Sequence, residues 1–293
     1  MLTASSIAQI MVSGLLTGLI YALVAVGLSL IFGLMNVVNF AHGEFLMLAM
    51  YATFGLALGL ALDPLVAVPI VMAALFVFGA AVYLGIVSYA MRARVNSGMV
   101  QIFSTFGLAI LLRGLAQYFL TPNYRSIAHS WLGSRTFALG PIYVPAPQLV
   151  GALISVAAFF ALWLLITRTD FGKAIEATRE DADAVALVGI SKNRVFALGW
   201  GLGAMLVGLA GAILASFYYI YPNVGGPFAL IAYVTVALGG FGSVFGALAA
   251  GVIVGLVEAL TAVILPSDLK EVGVYAVYLA VVLFRPRGLF GSI

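Results

Sequence analysis

The sequence has no cysteine and little charge, since only 8% of its 293 residues are Asp, Glu, Lys or Arg. The absence of cysteine excludes disulfide bonds, thiolate chemistry and cysteine-ligated metal sites. The shortage of charge is more informative, because an ordinary soluble domain is about 25% charged. A soluble enzyme with so few charges would expose large apolar patches to water, and a disordered chain needs low hydrophobicity. The composition therefore argues against both classes.

Hydrophobic residues make up 64% of the chain, and they form long runs. A membrane-spanning helix needs about 20 mostly apolar residues, and these runs do not alternate as β-barrel strands do. We predict an all-α fold: one polytopic helical membrane domain, residues 1–293, with eight or nine transmembrane segments, some broken or half-spanning. The runs cover residues 7–33, 44–61, 65–91, 98–120, 148–167, 195–220, 229–242, 244–265 and 272–284, and 229–242 and 272–284 are short.

The few basic residues predict the orientation of the bundle, because Lys and Arg concentrate in cytoplasmic loops. The larger group lies on one side: Arg92, Arg94, Arg168, Lys173, Arg179, Lys192, Arg194, Arg285 and Arg287. The opposite loops hold only Arg125, Arg135 and Lys270. We predict that the N-terminus lies outside the cell and the C-terminus in the cytoplasm. The basic excess then reflects contact with membrane lipid, not with nucleic acid.

Glycine is abundant, with 33 residues, and many glycines recur four residues apart within the apolar runs. Small residues on one helix face allow two backbones to approach closely in lipid. We therefore expect these glycines to pack helices together. The pairs are Gly14 and Gly18, Gly55 and Gly59, Gly199 and Gly203, Gly242 and Gly246, and Gly251 and Gly255.

The first polar interruption of the runs contains Asn36, Asn39, His42, Gly43 and Glu44. Polar groups at membrane depth are tolerated only where they are buried in protein or line a cavity. We predict a broken helix, a short second helix starting near Glu44, and free backbone groups available to a permeating solute. The alternative is a cytoplasmic turn with a helix-capping Asn. A metal site is not expected, because His42 and Glu44 would point apart on a helix.

The second interruption, Pro222–Phe228, contains Asn223, Gly225 and Gly226. Aligning Phe45 with Phe228 gives two similar polar breaks, each followed by an apolar helix. The two breaks are entered from opposite sides of the membrane, which is the relation expected of inverted repeats with a transport site near the midplane. The alternative is a plain outer loop.

The longest charged segment, residues 168–194, predicts an amphipathic cytoplasmic helix that starts with Asp170 as N-cap and stops at Gly189. Its less polar residues recur at steps of three and four: Phe171, Ala174, Ile175, Thr178, Ala182 and Val185. We interpret this stripe as a surface that docks into a groove of another protein. The alternative is a solvated loop. The candidate coupling residues are Asp170, Ile175, Glu176, Arg179, Glu180, Asp183, Leu187 and Gly189.

Motifs for chemistry are absent from the sequence. It has no phosphate-binding Gly-x-x-x-x-Gly-Lys-Ser/Thr loop, no His-Glu-x-x-His and no Gly-x-Ser-x-Gly. His42 and His129 fall on opposite sides of the predicted membrane. These absences favour a transport subunit without an energy module over an enzyme, and no metal or cofactor is expected. The alternatives are a self-contained channel for a small neutral solute and a structural membrane scaffold.

The sequence resembles the permease subunits of bacterial ATP-driven importers for branched-chain amino acids, in particular the LivH-type half. The matching stretches are GLSLIFGLMN (27–36), VNFAHGE (38–44), PNYRS (122–126), LVGI (187–190) and LGGFGS (238–243). Permeases for urea and amides are similar at the same places.

This resemblance implies a complex with a second permease subunit, two ATP-binding subunits and a periplasmic amino-acid-binding protein. ATP would be bound by the partner subunits, and the family's coupling helix would lie at about residues 170–189. The Glu-Ala-Ala signature of another importer class is present only as Glu176-Ala177-Thr178, so the coupling prediction depends on the amphipathic stripe instead.

Overall fold

The structure, a computed structural model, describes residues 3–93, 96–128, 130–133, 135–182 and 184–291. Its elements in chain order are α1 (Ala4–Met35), α2 (His42–Leu60), α3 (Pro64–Val82), a π-helical turn (Tyr83–Val87), α4 (Ser88–Ala90), α5 (Ser97–Leu120), β1 (Thr136–Leu139), β2 (Ile142–Pro145), α6 (Ala146–Arg168), α7 (Asp170–Glu180), α8 (Ala184–Leu187), α9 (Lys192–Leu214), α10 (Gly225–Gly239), α11 (Val244–Ile264), a 3-10 turn (Ser267–Leu269) and α12 (Lys270–Phe284). Strands β1 and β2 form an antiparallel hairpin.

Polar caps set where several of the apolar helices begin. The Thr3 hydroxyl accepts a hydrogen bond from the Ser6 N–H at the start of α1, and the Ser243 hydroxyl accepts one from Gly246 at the start of α11. Asp63 caps α3 by accepting from Leu65, with proline at the next position. These are the residue types that satisfy the unpaired N–H groups of a first helical turn.

Seven helices of the described chain are long and apolar enough to cross a membrane: α1, α2, the continuous α3–α4 helix, α5, α6, α9 and α11. Helices α10 and α12 have 15 residues each, which is shorter than the roughly 20 residues of a full crossing. They correspond to the two apolar runs that are short in the sequence. The predicted eight or nine segments are therefore seven full-length helices and two shorter ones.

Helices α1 and α9 lie antiparallel at the centre of the bundle and are buried over most of their length. Glycines make the close contacts. A Cβ on Gly27 would lie 2.7 Å from the carbonyl oxygen of Gly203, and a Cβ on Gly18 would lie 2.7 Å from that of Gly251. The predicted packing role is confirmed at these positions. It is wrong for Gly55 and Gly59, since no described atom lies within 4 Å of a Cβ built on either.

The helix neighbours follow an internal symmetry. Helix α1 packs on α11 as α9 packs on α3, and α1 packs on α10 as α9 packs on α2. Helix α2 contacts α3 and α5, and α10 likewise contacts α11 and α12. Exchanging α1, α2, α3 and α5 with α9, α10, α11 and α12 therefore preserves these neighbouring pairs. Because α1 and α9 are antiparallel, this is the arrangement predicted for inverted repeats.

The basic residues cluster at the two ends of the bundle as the sequence predicts. Arg92, Arg179 and Lys192 line one cavity of about 400 Å³ at the end where α1 finishes. At the other end Arg125 pairs with Ile220 through both backbone hydrogen bonds. Lys270 lies at that end too, in a cavity that includes Tyr124. Arg94 lies outside the described residues.

Candidate functional site

The first polar break carries the chain back into the bundle. Helix α1 ends at Met35, its C-cap Asn36 has a left-handed φ of 54°, and α2 begins at His42. The His42 Nε2 atom donates to the Val24 carbonyl oxygen at 2.9 Å. Val24 lies 11 positions before Met35, or about 16 Å along the helix at 1.5 Å per residue. Helix α2 therefore starts inside the bundle, at His42, and its 19 residues make it a long helix. The prediction of a short helix was wrong.

The backbone of this break is bonded to side chains from other helices. The Phe40 N–H donates to Thr105 Oγ1 at 3.3 Å, and the Tyr233 hydroxyl donates to the Asn39 carbonyl oxygen at 3.1 Å. The predicted free backbone groups are thus occupied at these positions. The unpaired polar atoms of the break are on side chains. Asn39 Nδ2 and His42 Nδ1 are buried without a hydrogen-bond partner among the described residues. An unpaired buried polar group costs about 1–3 kcal/mol, so a polar ligand that reached either nitrogen would relieve this cost.

Glu44 forms an ion pair inside the bundle. Its carboxylate is buried, and Arg113 of α5 donates to Oε1 from Nε at 2.8 Å and also from Nη2. The Arg113 side chain is 41% exposed. An Arg at the centre of a membrane helix costs about 3 kcal/mol, so the charged end of this side chain needs polar surroundings.

Sequence reasoning did not identify Arg113 as a site residue, although a signal was present. Arg113 interrupts the apolar run 98–120, and polar residues share its helix face at four-residue steps: Gln101, Thr105 and Gln117. This polar face of α5 contacts the first break through Thr105 and Arg113.

The second break meets the first. Gly225, the first residue of α10, lies so close to Gly43 that a Cβ on either would overlap the backbone of the other. Phe45 and Phe228 are each the fourth residue of their helices, so aligning them matches the two breaks. Next to this contact, Asn223 is exposed and accepts a hydrogen bond from Gln117 at 3.3 Å. Gly226 faces open space, with no described atom within 4 Å of a built Cβ.

The structure thus brings together Asn39, His42, Gly43, Glu44 and Gly225, with Asn223 and Gly226 adjacent through α10. Asn36 does not belong to this group. It is exposed at the end of α1 and lines the cavity that contains Arg92 and Arg179. Asn36 therefore lies apart from the other break residues, because the chain between Asn36 and His42 runs back along α1.

The predicted coupling helix is two short helices. Thr169, not Asp170, caps α7, since its hydroxyl accepts from the Gly172 N–H at 3.1 Å. The helix ends at Asp181, whose backbone is extended, and α8 follows. Gly189, with φ of 83°, comes after α8 as predicted. Asp183 lies outside the described residues.

The apolar stripe of this segment faces its own chain. Ile175, Thr178 and Val185 are buried, and α7 packs on α1, α6 and α9. The stripe is therefore not open to a partner, which corrects that part of the interpretation. The surface left outside is different: Asp170, Glu176, Arg179 and Glu180 are exposed, and Leu187 and Val188 are 90% and 75% exposed.

A second ion pair lies at the opposite end, between buried Glu258 of α11 and Lys270 of α12 at 2.6 Å. Lys270 lines a cavity of about 260 Å³ with five tyrosines: Tyr21, Tyr124, Tyr218, Tyr219 and Tyr221. Burial, and then the neighbouring Tyr124 and Tyr218, raise the pKa of Tyr221. Groups of His, Asp and Glu able to hold a metal ion are not found in the described part of the chain.

Comparison with known proteins places this geometry in context. Residues 10–284 match the family described as "Branched-chain amino acid transport system / permease component". The chain is 30% identical to the high-affinity branched-chain amino acid transport system permease proteins BraD of Pseudomonas aeruginosa and LivH of Escherichia coli, over 97% of this chain and 95% of each relative. It is also 30% identical to the ribose import permease protein RbsC of Escherichia coli, over 89% of this chain and 78% of that protein.

Proposed function

This chain belongs to the family of branched-chain amino acid transport system permease components, and we propose that it is the transmembrane subunit of an ATP-driven importer. It moves branched-chain or other hydrophobic amino acids from the periplasm to the cytoplasm by alternating access. ATP is bound by separate subunits, and this chain performs no catalytic step. The observation that carries the proposal is the family match over residues 10–284, with BraD and LivH aligned over 97% of the chain.

Similarity to a ribose permease shows that sequence resemblance alone leaves the solute class open. The charges at the first break favour an amino acid as the solute, because the Glu44–Arg113 pair places a negative and a positive group beside apolar residues. A branched-chain amino acid carries an ammonium and a carboxylate on an apolar side chain, so it complements both features. A urea or amide solute is the alternative, and it would need neither charge.

The solute route follows the contact between α2 and α10. Asn39, His42, Gly43, Glu44, Asn223, Gly225 and Gly226 are the residues we assign to it. Unpaired nitrogens on Asn39 and His42 support this assignment. So does the internal symmetry, because inverted repeats rock about a site between them. Asn36 is left out of the route and assigned to the cytoplasmic end.

The exposed side of α7 and α8 is where we place the ATPase contact. Ile175 and Thr178 are buried where α7 packs on the bundle. A displacement of the exposed side of α7 by the ATPase is therefore transmitted to α1, α6 and α9. Leu187 and Val188 form an exposed apolar tip next to Gly189, suited to a groove on another protein. ATP energy enters as a difference in the affinity of the ATPase for two permease states.

The chain is a multi-pass inner-membrane protein. We propose that its partners are a second permease subunit, two ATP-binding subunits and a periplasmic amino-acid-binding protein. The end with Arg92, Arg179 and Lys192 faces the cytoplasm, since basic residues concentrate there. The hairpin of β1 and β2 then faces the periplasm.

Reconstitution into liposomes tests the function. We expect no leucine uptake by this chain alone, and ATP-dependent uptake when the partner subunits and the loaded binding protein are present. Uptake or ion conduction by the chain alone would indicate a self-contained channel. A complete complex that takes up urea and not leucine would contradict the solute class while leaving the importer class intact.

A further inference from the structure

The Arg113 side chain is 41% exposed, and exposed apolar residues lie beside it on the surface of α5. These neighbours include Phe106 and Ile110. Beside Arg113 lie Gln117, one turn further along α5, and Asn223, to which the Gln117 amide donates. Both are exposed. A charged group and two amides on one patch of a membrane-embedded surface would be poorly solvated by lipid, so this patch faces water or a polar ligand.

The hydrogen bonds of Arg113 leave part of the guanidinium free. Nε and Nη2 both donate to the same atom, Glu44 Oε1. The remaining N–H groups have no acceptor in the part of the chain that the structure describes. A guanidinium presents its N–H groups in a planar fork that suits a carboxylate. Glu44, buried at 2% exposure, holds this fork in one orientation.

The surroundings suit an anion beside Arg113. Helix α10 begins at Gly225, against Gly43 and within reach of the Glu44 carboxylate. Its first turn contributes a partial positive charge, and the open space over Gly226 leaves room next to it. Because Glu44 offsets part of the Arg113 charge, a carboxylate would be held weakly. Weak binding is what a transport route requires, since the solute must also leave.

We propose that Arg113 recognises the carboxylate of the transported solute, with Glu44 as the positioning residue that orients it. The inference rests on the proposed function and deepens it: the route selects solutes that pair a carboxylate with an apolar side chain. The amides of these solutes, which lack the carboxylate, are excluded at the permease, independently of the delivering protein.

The cysteine-free sequence allows a direct test in the full permease–ATPase complex. Gln117→Cys places one thiol beside Arg113, and its reaction rates with a negatively and a positively charged methanethiosulfonate reagent are compared with those of a free thiol. We expect the negatively charged reagent to be favoured about tenfold. Millimolar leucine, without the binding protein, should slow the reaction, and leucinamide at the same concentration should not.

Removing the charge requires a variant that still folds. Arg113→Met alone leaves Glu44 buried and unpaired, whereas Glu44→Gln with Arg113→Met removes both charges and is far less disruptive. In the double variant we expect the reagent preference and the protection by leucine to disappear. Arg113→Lys should keep the preference. Leu58→Cys, on the exposed end of α2, is the control, and its rates should be the same in both backgrounds.

Three results would overturn the inference: equal protection by leucinamide, an unchanged preference in the double variant, or no reaction of the Gln117→Cys thiol with either reagent. The last would mean that lipid or a partner covers the patch. Copurification and ATP-driven leucine uptake are measured in the same preparations. If they are retained while the charge preference is absent, only the role of Arg113 fails. If ATPase subunits do not copurify, the proposed function fails.

Discussion

Gly225 shows how a single residue controls the meeting of the two breaks. Its backbone lies against Gly43, and a Cβ there would also come within 2.9 Å of the Glu44 carboxylate. Glycine is required for this close approach, not for an unusual backbone angle, since Gly225 is not among the positive-φ residues. The absence of a side chain at Gly225 therefore has two effects. It allows the two repeats to make contact, and it leaves space for Glu44, which orients Arg113.

Gly225→Ala and Gly226→Ala form a matched pair that tests this contact. We expect Gly225→Ala to destabilise the protein by about 1–3 kcal/mol, the usual cost of overpacking, and to reduce uptake. Gly226→Ala should leave the melting temperature unchanged, because a Cβ there meets open space. Melting temperature in detergent and uptake in proteoliposomes measure the two effects. Equal effects of the two variants would show that the close contact between α2 and α10 is not required.

Helices α7 and α8 show at the scale of elements how an amphipathic pattern is used. One side is buried against α1, α6 and α9, while the tip at Leu187 and Val188 stays exposed. The buried side makes the segment part of the rigid bundle, and the exposed tip is left for a partner. Two short helices with a bend at Asp181 present that tip away from the bundle surface.

Leu187→Asp tests the tip. The substitution should weaken retention of the ATPase subunits about tenfold or more, because it places an unpaired charge in an apolar contact. It should leave the melting temperature of the permease unchanged, since Leu187 is 90% exposed. Copurification from membranes measures retention. Leu58→Ser, at an exposed leucine outside α7 and α8, is the control and should retain the ATPase normally. Normal retention in Leu187→Asp would move the coupling surface elsewhere.

At the scale of the whole molecule, two sets of helices with the same neighbours are joined through antiparallel α1 and α9. Both polar breaks return into the bundle, one from each end, and they meet at Gly43 and Gly225. The polar groups therefore lie between the repeats, and we expect relative rocking of the two halves to expose them to one side and then the other.

Orientation is testable in intact cells, again because the chain contains no cysteine. A thiol introduced by Tyr143→Cys in the exposed hairpin should react with a membrane-impermeant maleimide added from outside. A thiol introduced by Val188→Cys should react only after the cells are opened. Both positions are exposed, at 61% and 75%, so a lack of reaction reports the side of the membrane. The reverse labelling pattern would invert the assignment of cytoplasmic and periplasmic ends.

Some features of this protein follow from the sequence alone. Few charges and long apolar runs require helices in lipid, and Lys and Arg between the runs divide the bundle into two ends. The positions of both breaks, the stop at Gly189 and the amphipathic stripe were also readable, because each depends on residues near one another in the chain.

Tertiary packing decided the rest. The pairing of Glu44 with Arg113 joins residues 69 positions apart, and helix packing, not local sequence, brings them together. Periodicity indicated that one face of α7 is buried. It did not indicate that this face packs on other helices of the same chain. The same holds for Asn36, which is close to His42 in sequence but is separated from it by the return of the chain along α1. The sequence indicates which residues of each segment must be buried. Only the folded bundle shows which helices they pack against.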